Sequence, residues 1–321
     1  MKKQFTFLSM CGGISMGAEA LKQLGGTEIA CVDNGDLQEK AHNILNPDGV
    51  FLKKDVRKVT PKNLNEFLIS RGKAPIEQVD LILFSTPCTY ASGLNYYRTP
   101  HAEMNQLTSV EIPRILEQFA PKIGFIAENV PDIITDKALR PMFKALKRKL
   151  KAADMYDIDV KILDSADYNC WTSRPRGIFL GKSKFIPGSI TFPAPTTRCY
   201  ADYYLNKLIP TALLYSPGLY RKKTFSDSDM LIGKRDNWLS ADRILGTVTA
   251  TGGEMIMDSN FSSERQLTID ELKTIFGIEH FDFTGLTNRE IHFLIGNGIV
   301  VPFLKTVTEH FLEQFYYSEK N

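Results

Sequence analysis

Residues 79–88 read Val79-Asp80-Leu81-Ile82-Leu83-Phe84-Ser85-Thr86-Pro87-Cys88, an apolar run that halts at a proline and a cysteine. Three other stretches are built the same way. Phe5 to Met10 ends at Cys11-Gly12-Gly13 and leads into a helical pattern with Met16, Ala20, Leu21 and Leu24 on one side. Ile29 to Val32 ends at Asp33, and Ile123 to Ala127 ends at Glu128-Asn129. Short continuous apolar runs are the mark of strands buried on both faces. Helical segments between such strands predict an α/β fold, a mostly parallel sheet covered on each side. Ligands of such sheets sit beyond the carboxyl ends of the strands, so the polar residues that close each run are the candidates for chemistry.

Downstream, Leu139, Met142, Phe143, Leu146 and Leu150 recur at three- and four-residue spacing and predict an amphipathic helix. Its polar face carries Lys144, Lys147, Arg148, Lys149 and Lys151, a cluster that reads first as a solvated helix face and second as a nucleic-acid contact. Val160 to Leu163 and Gly177 to Leu180 look like a last strand pair. From Lys182 to about Glu264 the helical periodicity fades. Prolines, glycines and aromatics take over in SKFIPGSITFPAPT, YSPGLYRKK and TVTATGG, which reads as a smaller module of loops and strands. Arg221-Lys222-Lys223 is its one dense basic patch. Leu267 to Phe276 and Val300 to Phe315 return to helical character.

With 321 residues, 43% apolar and 24% charged, the chain can bury a large core and is not a disordered sequence. A formal net charge of +2 neither demands nor excludes a polyanionic partner, so a phosphate-binding face has to come from local clustering. Cys11, Cys31, Cys88, Cys170 and Cys199 lie far apart and form no CxxC pair, which argues against a zinc site or a disulfide scaffold. The opening MKKQFTFLSMCGG looks like a secretion signal only superficially, because its short apolar run breaks at Gly12-Gly13. No long apolar stretch follows, and the expectation is a soluble, cytoplasmic monomer with reduced thiols, no membrane association and no metal.

Seven segments in fixed order then carry a resemblance. They are Leu8-Ser9-Met10-Cys11-Gly12-Gly13 with Asp33; Asp55-Val56; Thr86-Pro87-Cys88-Thr89-Tyr90-Ala91-Ser92; Glu128-Asn129-Val130; Arg174-Pro175-Arg176 with the following strand; Arg265-Gln266-Leu267-Thr268 with Glu271 and Phe276-Gly277; and Gly296-Asn297-Gly298 through Pro302. In order and spacing the chain resembles the cytosine-C5 DNA methyltransferases of restriction–modification type along nearly its whole length. The resemblance implies a Rossmann-like fold that binds S-adenosylmethionine. It also implies a discontinuous catalytic domain: residues 1–181 as its first part, 182–264 as a target-recognition module, and 265–321 returning to it. The implied activity is methyl transfer to carbon 5 of a flipped cytosine in a specific double-stranded DNA sequence. The implied setting is the nucleoid, with a restriction endonuclease as functional counterpart.

The chemistry explains why such residues are needed. Carbon 5 of cytosine is too weak a nucleophile to take a methyl group unaided; a thiolate added to carbon 6 makes it enamine-like. Loss of the carbon-5 proton and of the thiolate restores the ring. By the resemblance Cys88 is the nucleophile and Glu128 holds ring nitrogen 3 and the exocyclic amine. Arg176 reaches the cytosine carbonyl or orients Glu128, and Arg174 serves the backbone or the active-site loop. Asn129 is expected to hold its loop together. For the cofactor, Leu8, Met10 and the tight turn Cys11-Gly12-Gly13 approach the methionine portion. Asp33 accepts the ribose hydroxyls. Asp55 accepts from the adenine amine, against its reading as a turn-capping aspartate, and Pro87 and Asn297 complete the pocket. A stacked cytosine must be swung out of the helix. Ser92 and Arg98 after the nucleophile, and Thr247-Val248 in the recognition module, are the expected target contacts.

The chain departs from the family pattern at Thr86 and Thr89, where Pro and Gln are usual. It does so again at Met10 for Gly, Ala91 for Phe and Asp33 for Glu. Three further readings stay open: an RNA cytosine-C5 methylase of the same fold, a non-catalytic or altered-cofactor DNA-binding relative, and an α/β enzyme for small substrates.

Overall fold

The run Phe5–Met10 forms the first strand, β1, with Phe7, Leu8 and Met10 fully buried because helices cover both of its faces. The computed structural model describes residues 3–87, 107–137, 139–196, 212–214, 231–234, 237–240, 247–250, 255–258 and 264–317. They fall into two compact units. The first comprises Met1–Leu163, Pro175–Pro193 and Leu304–Asn321, the second Asp164–Arg174 and Ala194–Phe303.

The first unit is built on a seven-stranded sheet of order β3-β2-β1-β4-β5-β7-β6. Its further strands are β2 (Gly26–Asp33), β3 (Phe51–Lys53), β4 (Leu81–Phe84), β5 (Gly124–Asn129), β6 (Tyr156–Asp164) and β7 (Pro175–Ser183). Strands β3, β2, β1, β4 and β5 run parallel, so Met10, Asp33, Phe84 and Asn129 all end at one edge. Strand β7 is inverted and pairs antiparallel with β5. Two glycines permit that pairing. A Cβ on Gly124, at φ +150°, would stand 1.8 Å from the Gly181 carbonyl oxygen, and one on Gly181 would strike the Phe125 ring.

Helices α3 (Pro61–Ser70), α4 (Ile112–Phe119) and α5 (Arg140–Ala153) bury Leu64, Ile115, Met142, Leu146 and Leu150 in one cluster with Leu8, Ile82 and Phe125 of the sheet. Helix α1 (Met16–Lys22) takes the other face: a Cβ on its Gly17 would meet Leu83 and, from the last helix, Leu304. Helix α2 (Asp36–Leu45) sets His42 against Phe51 at the β3 edge.

The second unit is rich in short antiparallel strands, as the fading helical periodicity predicts. β9 (Leu231–Lys234) pairs with β10 (Asn237–Ser240), and β11 (Met255–Asp258) lies between β8 (Ala212–Leu214) and β12 (Glu264–Gln266). Helix α6 (Ile269–Phe276) opens on a capping box in which Thr268 and Glu271 exchange bonds at 2.7 and 3.2 Å, and closes on Gly277 at φ +71°. The motif residues Thr268, Glu271 and Gly277 thus start and stop a helix. Helix α7 (Asn288–Asn297) opens the same way on Thr287 and Glu290. The stretch Asn288–Phe315, which includes the last helix α8 (Val301–Phe315), is long and apolar enough to cross a membrane, but 67% of its apolar window is buried inside the protein, as in a core helix.

Candidate active site

The parallel strands deliver their carboxyl-terminal residues to one edge of the sheet, and the first unit's polar residues gather there. Glu128 is the penultimate residue of β5 and pairs in register with Ile178, which puts it diagonal to Arg176 on β7. The Arg176 Nε donates to Glu128 Oε1 at 2.6 Å, with the two side chains 9% and 13% exposed. Arg176 also donates to its neighbour's carbonyl, Pro175 O, at 2.8 Å. The guanidinium fork therefore fixes one carboxylate oxygen by a short charge-assisted bond. Glu128 Oε2 has no partner among the described residues.

One residue on, the buried Asn129 ties two loops together. Its amide nitrogen donates to Thr86 O at 3.0 Å and to Thr86 Oγ1 at 2.9 Å, and its Oδ1 accepts from Val130 N at 2.8 Å. Asn129 thus holds its own loop, as expected, and also the chain two residues ahead of Cys88. Thr86 was legible only as a departure from the family pattern; its hydroxyl supplies an acceptor that proline lacks. Cys88, Ser92 and Arg98 lie outside the described residues, and Pro87 is exposed at the last described position before them.

At the ends of β1 and β2 a second cradle forms. Asp33 Oδ2 accepts from Gly13 N and Oδ1 from Gly35 N, each at 3.0 Å, so one carboxylate binds both loops. Each oxygen keeps a lone pair for a ligand hydroxyl. Gly13 sits at φ +57° with open space where a side chain would stand, whereas a Cβ on Gly12 would meet Cys31 Sγ at 2.6 Å. An open turn beside an acid at the strand ends fits the hydroxyl-rich ribose of S-adenosylmethionine.

Other expected cofactor residues sit differently. The side chains of Leu8 and Met10 belong to the core cluster, so only their backbone is free to approach a ligand. Asp55 caps the turn Val56–Lys58, accepting from Arg57 N at 2.9 Å and pairing with the Arg57 guanidinium, which holds its carboxyl below the usual carboxylate range. This is the geometry of the turn-capping alternative. Cys11 is half-buried at φ 55°; burial first, then Asp33 and Asp55, push its thiol far up, and burial does the same for Cys31. Neither supplies a thiolate. Among the described residues no cluster of His, Cys, Asp or Glu could hold a metal ion.

Arg174 is part of the second unit and is 3% exposed. Its Nη1 donates to Val248 O at 2.7 Å, and its Nη2 donates to Gly296 O at 2.7 Å and Gly298 O at 2.8 Å. The guanidinium lies 5.5 Å from the centre of the Phe276 ring. Its backbone N–H is held by Asp164 and Ser165. Of the two expected roles the described bonds show the backbone one: these guanidinium bonds go to carbonyls of the motif segments 247–250 and 296–302, while residues 88–106 of the active-site loop lie outside the described residues. The Thr-Val element is anchored in the same segment. Val248 is buried and Thr247 Oγ1 donates to Ser173 O at 2.8 Å, so both hold the segment in place. A Cβ on Gly296 would stand 2.4 Å from the backbone of Thr249. Asn297, in this unit, is exposed and closes the last turn of α7 by donating to Phe293 O at 3.0 Å.

Comparison with known proteins gives the arrangement a context. The model of a family described as C-5 cytosine-specific DNA methylase matches residues 5–313. Type II methyltransferase M.XorII of Xanthomonas oryzae pv. oryzae is 29% identical over 189 residues, 58% of this chain and 42% of that protein. The matched segment thus spans less than half the length of that relative. A DNA modification methyltransferase encoded within an E. coli prophage superposes with a TM-score of 0.70 at 16% identity, covering 97% of this chain and 99% of the other. Spodoptera frugiperda DNMT2 superposes with a TM-score of 0.69 at 15% identity, covering 97% and 100%. These likenesses establish the α/β, Rossmann-like methyltransferase fold.

Proposed function

The chain belongs to the C-5 cytosine-specific DNA methylase family, and on that premise we propose that it methylates carbon 5 of a flipped cytosine in duplex DNA, with Cys88 as covalent nucleophile. The family's chemistry is methyl transfer to cytosine through a cysteine–carbon-6 adduct, and S-adenosylmethionine is its cofactor. The observation that carries the reading is the convergence at the end of β5: Glu128 fixed by Arg176, and Asn129 bonded to Thr86 just before Cys88.

Glu128, with Oε2 open, holds ring nitrogen 3 and the exocyclic amine while Arg176 keeps its orientation. The Cys88 thiolate adds to carbon 6, forming a carbon–sulfur bond and making carbon 5 nucleophilic. S-adenosylmethionine, when bound, supplies an electrophilic methyl group. Removal of the carbon-5 proton by a base then expels the thiolate and restores the ring. Asp33 and the Gly12-Gly13 turn hold the cofactor's polar portion.

Duplex DNA is favoured by the sequence likeness to a Type II methyltransferase. On this reading the enzyme acts on nucleoid DNA as a monomer, with a restriction endonuclease as counterpart. Structured RNA is the second reading, because the fold is shared equally by the two solved methyltransferases and the base-directed residues act on any cytosine.

The test is incubation with tritiated S-adenosylmethionine and either mixed-sequence duplex DNA or bulk transfer RNA, followed by nucleoside analysis. The expected product is 5-methylcytosine in DNA, absent with Cys88→Ala. Label in RNA alone moves the substrate to the second reading; no 5-methylcytosine in either overturns the proposal.

A further inference from the structure

Helix α5 carries Arg140, Lys144, Lys147, Arg148, Lys149 and Lys151, all exposed, and no acidic residue in its 14 residues. At about 100° per residue, all but Lys149 fall within an arc of about 100° on the side turned from the core. Among the described residues no carboxylate pairs with any of the six, and the next acid along the chain, Asp154, is taken by Lys184. Like charges three and four residues apart repel and weaken a helix. A merely solvated face relieves this with interleaved acids, as α2 does with Asp36, Glu39 and Lys40, and α3 with Lys62 and Glu66. The uncompensated stripe of α5 calls for an anion from outside.

The stripe is also placed to meet one. The chain leaves β5 at the Glu128 end, makes a single helical turn over Asp132–Thr135, and enters α5 at Arg140. At the far end of α5, Tyr156 opens β6 and its hydroxyl donates to Pro121 O, just before β5 begins, at 3.3 Å. The helix therefore runs from the candidate active-site edge to the opposite edge of the sheet. From Arg140 to Lys151 the stripe is about 16 Å long, a length along which duplex DNA presents roughly nine phosphate charges.

We propose that this face of α5 is a second binding surface for the nucleic-acid substrate, holding sugar–phosphate backbone that flanks the target cytosine. The proposal rests on the reading of the substrate as a nucleic acid, but not on methyl transfer occurring. Five cations aligned with a polyanion release counterions on binding, so the interaction has a signature in salt.

The test is fluorescence anisotropy of a 40-base-pair mixed-sequence duplex, and in parallel of transfer RNA, titrated from 50 to 200 mM salt. The variant Lys144→Gln/Lys147→Gln/Arg148→Gln/Lys151→Gln should bind at least about tenfold more weakly at the low-salt end. Its slope of log K against log salt should be shallower by about 3.6, at about 0.9 for each of the four phosphates that the variant leaves unneutralised. Lys149→Gln, which removes a charge from the other side of the helix, should match wild type. So should Lys144→Arg/Lys147→Arg/Lys151→Arg, which keeps the stripe charged. Equal melting temperatures check that the fold survives; if the quadruple variant melts early, Lys144→Gln/Lys151→Gln is read instead, for a slope change of about half that size. An unchanged slope, a weakening reproduced by Lys149→Gln, or no binding by wild type overturns the inference. Stripe-dependent binding without methyl transfer would sink the functional reading and leave this one standing.

Discussion

Arg174 and Arg176 flank a single proline, and their spacing alone suggests a pair with one task. Their surroundings are opposite. Arg176 meets a carboxylate, Glu128, at the edge of the sheet where each partner keeps some exposure. Arg174 is buried among carbonyl oxygens from residues 248, 296 and 298, with an aromatic ring nearby. The first arrangement leaves an acidic oxygen open for a substrate; the second directs its bonds to the protein's own backbone. The contrast teaches that one short motif can set one arginine against a carboxylate at the sheet edge and the other among backbone carbonyls.

The contrast can be broken by substitution. The largest effect belongs to Glu128→Gln, which keeps the shape but loses the proton-accepting oxygen. Its kcat should fall by about 10³-fold with an unchanged melting temperature, in line with the usual weight of a general acid–base group. Arg174→Met should act the other way. It strands buried carbonyls and costs about 3 kcal/mol of stability in denaturant titration, while kcat of the folded protein changes little. A stable Arg174→Met protein with collapsed kcat would put both arginines in the chemistry and abolish the distinction.

Thr86→Val tests the link between the Glu128 loop and the nucleophile. Removing the hydroxyl acceptor while keeping the backbone bond to Asn129 should cost about 1 kcal/mol and lower kcat several-fold without raising KM for the cofactor. Thr86→Ser should restore both. The smallest effect concerns another buried cationic type, His42, which unlike Arg174 can shed its charge. Burial holds its imidazole below the ordinary value of 6.5, outweighing the pull of Glu28, and neither ring nitrogen makes a well-formed hydrogen bond. The folded protein favours the neutral ring, so the unfolded chain takes up the proton first as acidity rises. The stability from this group is whole above about pH 6.5 and is lost as pH falls through the lower folded value. His42→Leu should flatten that acid-side slope in melting curves from pH 8 to 5.

The sheet was legible because each of its central strands is a continuous apolar run closed by a polar residue. The helix over 139–150 was legible from its stripe, and the strand-rich second unit from loss of one. Helices α2, α3, α4 and α7 have only eight to ten residues, too short for a strong period. The inversion of β7 could not be read, because strand direction is set by tertiary pairing. At the site, Glu128 and Asp33 were found by position after a strand, and Arg176 by the family resemblance. The tasks of Arg174, Thr247 and Val248 were not, since their partners are backbone atoms that leave no trace in residue type. Thr86 shows the converse: a departure from the pattern is intelligible once its partner, Asn129, is seen.

The central claim is covalent attack by Cys88 on carbon 6 of cytosine. Nucleic acid containing 5-fluorocytosine tests it most directly, because carbon 5 then carries no proton to lose and the adduct cannot resolve. With S-adenosylmethionine present, wild-type protein should form a complex that survives denaturing electrophoresis and maps to Cys88, and Cys88→Ala should form none. No adduct on either DNA or RNA, or one that persists in Cys88→Ala, would contradict the account.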